Sequence, residues 1–182
     1  ANTYVATNYN ELNSAAQKAS NKYVTTIIIR GSIALIGDVT LKGKVNLVGE
    51  DGAEIVFENG DKKTRIYNSL NSEIKFENLK LTRTVVNDTQ TYVIEIKNVG
   101  TVWFVDCEFN VAIAGDSPTT DVDRITYCPN EAKDSVLYFD NCVFNTKAYI
   151  YRGNMVFYNL NTLPNTYDAV LGDFRSFKVD YE

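Results

Sequence analysis

Apolar and polar residues alternate along this chain in short bursts, and one burst recurs. Phe76-Glu-Asn78-Leu79, Phe104-Val-Asp106-Cys107, Phe139-Asp-Asn141-Cys142 and Phe157-Tyr-Asn159-Leu160 share one plan: apolar, variable, Asn or Asp, apolar. Ile74, Val102, Leu137 and Met155 stand two positions before the four copies. The copies begin 28, 35 and 18 residues apart. Alternation over so few residues predicts strands with one buried face. Recurrence at a spacing of roughly 20–35 residues predicts stacked supersecondary units in place of an ordinary closed core.

Within each copy, the first and fourth residues are expected to point inward across a bend. The bend falls on the Asn or Asp, whose short polar side chain tolerates the left-handed backbone region. Stacked in register, Phe76, Phe104, Phe139 and Phe157 form one interior ladder, and Leu79, Cys107, Cys142 and Leu160 a second. The pattern extends backwards to Val45-Asn46-Leu47, aligned with Ile74-Lys75-Phe76, and to Ile27-Ile28-Ile29, aligned with Val45. One helix is expected, over 8–19. Asn8 caps it, Glu11 follows as in a capping box, and Tyr9, Leu12, Ala15, Ala16 and Ala19 share a face. Short strands fill 24–109 and resume over 136–179, including 160–163 and 168–171. Residues 110–135 read as a long loop inserted into a single domain spanning 1–182.

The segments Ile27-Ile-Ile-Arg-Gly-Ser-Ile33, Val45-Asn-Leu-Val-Gly49 and Ser72-Glu-Ile-Lys-Phe-Glu-Asn-Leu79 resemble the opening coils of the pectate-lyase-like right-handed parallel β-helix superfamily. Asn-Cys-Val-Phe at Asn141–Phe144 is similar to the repeats of adhesin-like surface proteins. The resemblance covers most of 24–163. It implies an all-β fold, a single-stranded right-handed parallel β-helix solenoid of about six coils, with 8–19 as a short N-terminal capping helix. The C-terminal stretch Lys178-Val-Asp-Tyr-Glu182 carries no comparable cover. The chain is therefore expected either to be a piece of a longer protein or to fold its last strands back as a cap.

Composition narrows the chemistry. The 182 residues are 45% hydrophobic and 23% charged, with a net charge of −5. That balance argues against a nucleic-acid partner, which needs a basic footprint. No apolar run approaches the roughly 18 residues of a membrane helix, so no membrane insertion is expected. Histidine is absent. Without it, Ser-His-Asp and Cys-His catalysis and most zinc hydrolases are excluded. Cys107 and Cys142 read as reduced interior thiols, whereas Cys128, beside Pro129, is left free to pair with either. Asn87-Asp88-Thr89 matches a glycosylation sequon.

Two groups of residues remain as candidate sites. Asp121-Val-Asp123-Arg124 puts two carboxylates beside a guanidinium, and oxygen-rich clusters of this kind hold Ca²⁺. The resemblance gives that cluster a role: lyases of this fold use Ca²⁺ and an Arg base on a uronate. Their Arg-x-Pro-x-x-Arg motif is missing, because Arg124 runs into Ile-Thr-Tyr-Cys-Pro129. Otherwise 110–135 is a solvated acidic insertion. Tyr149, Tyr151 and Arg152, with Tyr127, form the second group. With Ala148 and Ile150 facing inward, the tyrosines stand outward, next to Tyr138 or Tyr158, where rings stack on sugars and Arg supplies hydrogen bonds. The competing reading is ordinary strand-forming tyrosine.

The expected function is an extracellular or cell-surface module, adhesin-like or carbohydrate-binding, that holds a glycan or a surface receptor without catalysis and without a cofactor. The alternatives are a Ca²⁺-dependent polysaccharide lyase or hydrolase working through Asp121, Asp123 and Arg124, and a structural stalk.

Overall fold

The four recurring phrases fall on one corner of a parallel β-helix. In each, a strand of one sheet ends, the chain bends, and the next sheet begins. The computed structural model describes residues 2–59, 62–84 and 92–180. The bend residues Asn78, Asp106, Asn141 and Asn159 have φ of 54°, 53°, 52° and 57°. Only Gly, or Asn and Asp at modest cost, adopts that region routinely, which is why the phrase carries an amide or carboxylate there.

Three parallel sheets of eight, five and six strands form the walls. The first contains Thr3–Ala6, Val24–Ile29, Lys44–Gly49, Glu73–Glu77, Thr101–Val105, Val136–Asp140, Asn154–Tyr158 and Ser176–Asp180, in that order. The second contains Ser32–Ala34, Glu54–Val56, Lys80–Arg83, Glu108–Val111 and Val143–Phe144. The third contains Val39–Leu41, Ile66–Asn68, Ile94–Glu95, Arg124–Tyr127, Tyr149–Tyr151 and Leu171–Gly172. Following the chain from Val24, each coil takes one strand from each sheet. In the sixth coil an isolated bridge between Val143 and Thr162 stands in for the middle strand. The antiparallel pair Glu58–Asn59 with Lys62–Lys63 lies outside the walls.

The interior follows from register. Phe76 pairs with Phe104, Phe104 with Phe139 and Phe139 with Phe157, so like side chains sit one above another. Their centroids are 5.1 Å apart at each step, with planes within 16° of parallel. Phe109 and Phe144 stack from the second sheet at 4.9 Å, and Phe109 meets Phe104 edge-on. Such contacts add about 0.5–1.5 kcal/mol per pair beyond the burial of area. Leu79, Cys107 and Cys142 form the second interior column, and the two thiols donate to the carbonyls of Phe76 and Phe104. Cys107, Cys128 and Cys142 are all buried free thiols, so Cys128 pairs with neither of the others.

The helix Tyr9–Lys18 closes the N-terminal end. Asn8 caps it by accepting from the Glu11 N–H. The Glu11 carboxylate reaches the Thr7 N–H and hydroxyl, one residue earlier than a capping box would place it. Leu12, Ala15, Ala16 and Ala19 are buried against the first coil. The preceding strand Thr3–Ala6, which the pattern did not predict, extends the first sheet by pairing with Val24–Ile29.

Several expectations need correction. Leu160 is not interior: it is 75% exposed. Thr162 pairs with Val143 while Phe157 pairs with Phe139, so this corner holds one extra residue. One extra residue inverts a period-two pattern. Asn161 takes the vacated place, accepting from the Cys142 N–H and donating to the Phe139 and Tyr158 carbonyls. The register of the first coil also differs. Thr25 aligns with Val45, and Ile27 with Leu47, two residues from the expected alignment. Residues 110–135 are not one loop, because Arg124–Tyr127 supplies the third-sheet strand of the fourth coil. No strand spans 160–163, and Tyr167–Val170 is a short helix where a strand was expected. The last strand, Ser176–Asp180, continues the first sheet in parallel and does not fold back. The sequon Asn87-Asp88-Thr89 lies outside the described residues.

Candidate functional site

Aromatic residues line the outside of the solenoid on two different sheets. On the third sheet, Ala148 and Ile150 are fully buried, which turns Tyr149 and Tyr151 outward as expected. Tyr67, Glu95, Tyr127 and Tyr151 then follow one another in register up this face. Tyr92 and Tyr127 approach to 5.0 Å, and Tyr127 and Tyr151 to 5.9 Å. Guanidinium groups cover these rings. Arg124 lies over Tyr127 at 4.6 Å and Tyr151 at 4.2 Å, and Arg152 lies over Tyr151 at 4.9 Å. Arg65 sits over Tyr67 and Tyr92 and donates to the Tyr92 hydroxyl at 2.8 Å. Arg152 is held in turn by Asp173 at 2.7 Å and by the Cys128 carbonyl. Cation–π contacts of this kind contribute about 0.5–2 kcal/mol each, so the face is braced by its own side chains.

Electrostatics on this face follow from burial. The Glu95 carboxyl is pushed up by desolvation, against the opposing influence of Arg65 and Lys97. The Tyr67 and Tyr92 hydroxyls are raised for the same reason. Burial also pushes the Cys128 thiol up to about 12, although Arg152 pulls the other way.

Asp121, Asp123 and Arg124 have different surroundings in the structure. Asp123 is 1% exposed, and each carboxylate oxygen accepts a backbone N–H, from Ala114 and from Thr119, both at 2.9 Å. Asp121 is exposed on the preceding turn. Arg124 is 7% exposed and donates from Nε to the Thr120 carbonyl. Asp123 therefore ties together the loop that leads into the third sheet, and Arg124 lies over two tyrosines. Among the described residues, no three His, Cys, Asp or Glu side chains converge as metal ligands. Among the same residues, no helix is long and apolar enough to cross a membrane.

Tyr138 and Tyr158 do not join the tyrosines of the third sheet. They stand on the outer face of the first sheet, with Trp103, which the sequence pattern did not single out. The Trp103 indole lies on Tyr138, with centroids 3.9 Å apart and planes 7° from parallel. Tyr158 stacks more distantly with both, 5.9 Å from Trp103 and 6.0 Å from Tyr138, with planes 8° and 14° from parallel. Tyr138 and Tyr158 are the rings that stack with Trp103 among the described residues. Beside it runs an open trough enclosing about 610 Å³ of space continuous with solvent. Val24, Lys44, Asn46, Glu73, Lys75, Thr101 and Trp103 line this trough. The register explains the grouping, since Asn46, Lys75 and Trp103 are successive neighbours and so are Lys44, Glu73 and Thr101. The available signal was positional. Trp103 lies between inward Val102 and Phe104, so period two sends it outward.

Comparison with protein-family models, curated proteins and solved structures finds no match.

Proposed function

We propose that this parallel β-helix is a non-catalytic glycan-binding module of the adhesin-like kind, and that the trough beside Trp103 holds the sugar. One observation carries the reading: an outward indole, stacked on Tyr138, forms a wall of a groove in which apolar Val24 and Ile74 stand beside amide, hydroxyl, ammonium and carboxylate groups. A pyranose presents an apolar C–H face and a rim of hydroxyls. It therefore fits an aromatic plate beside convergent polar groups. The plate is also fixed in advance, because Tyr138 supports it from behind, and a preorganised surface loses less freedom on binding. The adhesin-like role is what brings an extracellular or cell-surface location with it. The lyase alternative finds less support, since both oxygens of Asp123 are engaged by backbone N–H groups.

Native electrophoresis through gels containing polysaccharides tests the proposal. Retardation of the native protein, lost in Trp103→Ala and kept in Tyr151→Ala, is the expected result, with the polymer uncut. Retardation lost in Tyr151→Ala and kept in Trp103→Ala would move the site to the third sheet. Cleavage of the polymer would overturn the non-catalytic reading.

A further inference from the structure

We infer that the trough selects a sugar bearing an anionic substituent, a carboxylate or a sulfate, through Lys75; the inference rests on the trough being the glycan site. Two ammonium groups and one carboxylate line it: Lys44, Lys75 and Glu73. Lys44 Nζ lies 3.7 Å from Glu73 Oε2, which leaves that pair close to neutral. Lys75 makes no ion pair among the described residues. It is the in-register neighbour of Trp103, and adjacent strands lie about 4.8 Å apart. A substituent on a ring stacked against the indole is therefore within reach of the Lys75 ammonium. Asn46, on the other side of Lys75 in the same row, adds an amide for the neighbouring hydroxyls.

The surrounding charge makes this lysine informative. The chain carries a net charge of −5, so a polyanion is repelled by the molecule as a whole. A preference for acidic polymer must come from a local exception, and Lys75 is one placed beside the aromatic plate. Being half-exposed, the ammonium is screened by salt, so the preference is expected to be modest and to fade as ionic strength rises.

Two backbone-matched pairs test this: hydroxyethylcellulose against carboxymethylcellulose, and dextran against dextran sulfate, cast in gels at low salt. The native protein is expected to be retarded more by the acidic member of at least one pair. Which pair responds distinguishes carboxylate from sulfate. Lys75→Gln should weaken retardation by the acidic polymer roughly three- to fivefold and leave the neutral one unchanged. Lys80→Gln, on the outer face of the second sheet, should change neither. Equal retardation by both members of each pair overturns the charge selection alone, and so does an equal loss in Lys75→Gln and Lys80→Gln. Retardation by no polymer, or retention of all binding in a folded Trp103→Ala, overturns the glycan site and the charge selection together. Trp103→Phe keeps a ring over Tyr138, and partial binding by it guards against a folding defect in the alanine variant.

Discussion

Phe104 and Phe139 lie face to face in successive coils, with ring centroids 5.1 Å apart and planes 12° from parallel. Each ring continues the stack on its far side, Phe104 with Phe76 and Phe139 with Phe157. Phe104 is completely buried and also meets Phe109 edge-on. Phe104→Ala should therefore open a cavity between coils and destabilise the fold by about 3–5 kcal/mol. Urea titration followed by circular dichroism measures it. A loss under about 1 kcal/mol would mean that the neighbouring rings collapse into the space.

The corner residues invite a paired substitution. Asn141 has φ of 52°, and its amide donates to the Asp106 carboxylate at 2.8 Å. Asn141→Ala forces a Cβ-bearing residue with no local hydrogen bond into the left-handed region, at about 1–2 kcal/mol. Asn141→Gly keeps the backbone comfortable and should cost less than the alanine variant. Equal losses in the two would assign the effect to the hydrogen bond and not to the backbone.

Asp123 acts as a buried acceptor for two N–H groups. Asp123→Ala leaves both donors unsatisfied and should destabilise by about 1–3 kcal/mol for each that water cannot reach. The loop between Ala114 and Thr119 should lose its amide protection first in hydrogen exchange. Unchanged protection there would remove the carboxylate from its structural role.

Glu95 gives a pH dependence with a definite sign. Its carboxyl is raised above the usual value of 4.5 by burial, so the folded state holds its proton more tightly than the unfolded chain. Below the unfolded value this favours the fold fully, and the contribution is lost as pH rises through the folded value. Glu95→Gln should therefore melt at a higher temperature than the native protein at pH 7, and the difference should vanish near pH 3. A native protein that is more stable than the variant at pH 7 would show that Arg65, 3.7 Å away, outweighs the burial.

All three thiols should be silent in the native state. Cys107, Cys128 and Cys142 are buried, and the Cys128 thiol is pushed up to about 12. Burial denies a reagent access to all three, and Cys107 and Cys128 in addition hold little of the reactive thiolate at neutral pH. Ellman's reagent should read no thiol at pH 8 until denaturant is added, then three. Rapid reaction before unfolding would place at least one thiol at the surface.

The sequence by itself determined the repeating unit. Phe104, Asp106 and Cys107 announce a strand, a bend and a return because alternation and left-handed tolerance are local properties. The capping helix was equally legible, since Asn8, Glu11 and the spacing of Leu12, Ala15 and Ala16 act within a few turns of backbone. Register over longer spans was not. Leu160 matches the phrase perfectly yet faces solvent, because one extra residue before Thr162 inverts its side. Whether Thr25 or Ile27 meets Val45 depends likewise on pairing across coils. The site belonged almost wholly to tertiary structure. Tyr138 and Tyr151 look alike in the chain and stand on different sheets, while Asp123 looks like a ligand and is consumed by Ala114 and Thr119. Only the coil-to-coil stacking brings Trp103 onto Tyr138 and Lys75 beside Trp103. Those residues are distant in sequence, and what joins them is the strand spacing of about 4.8 Å.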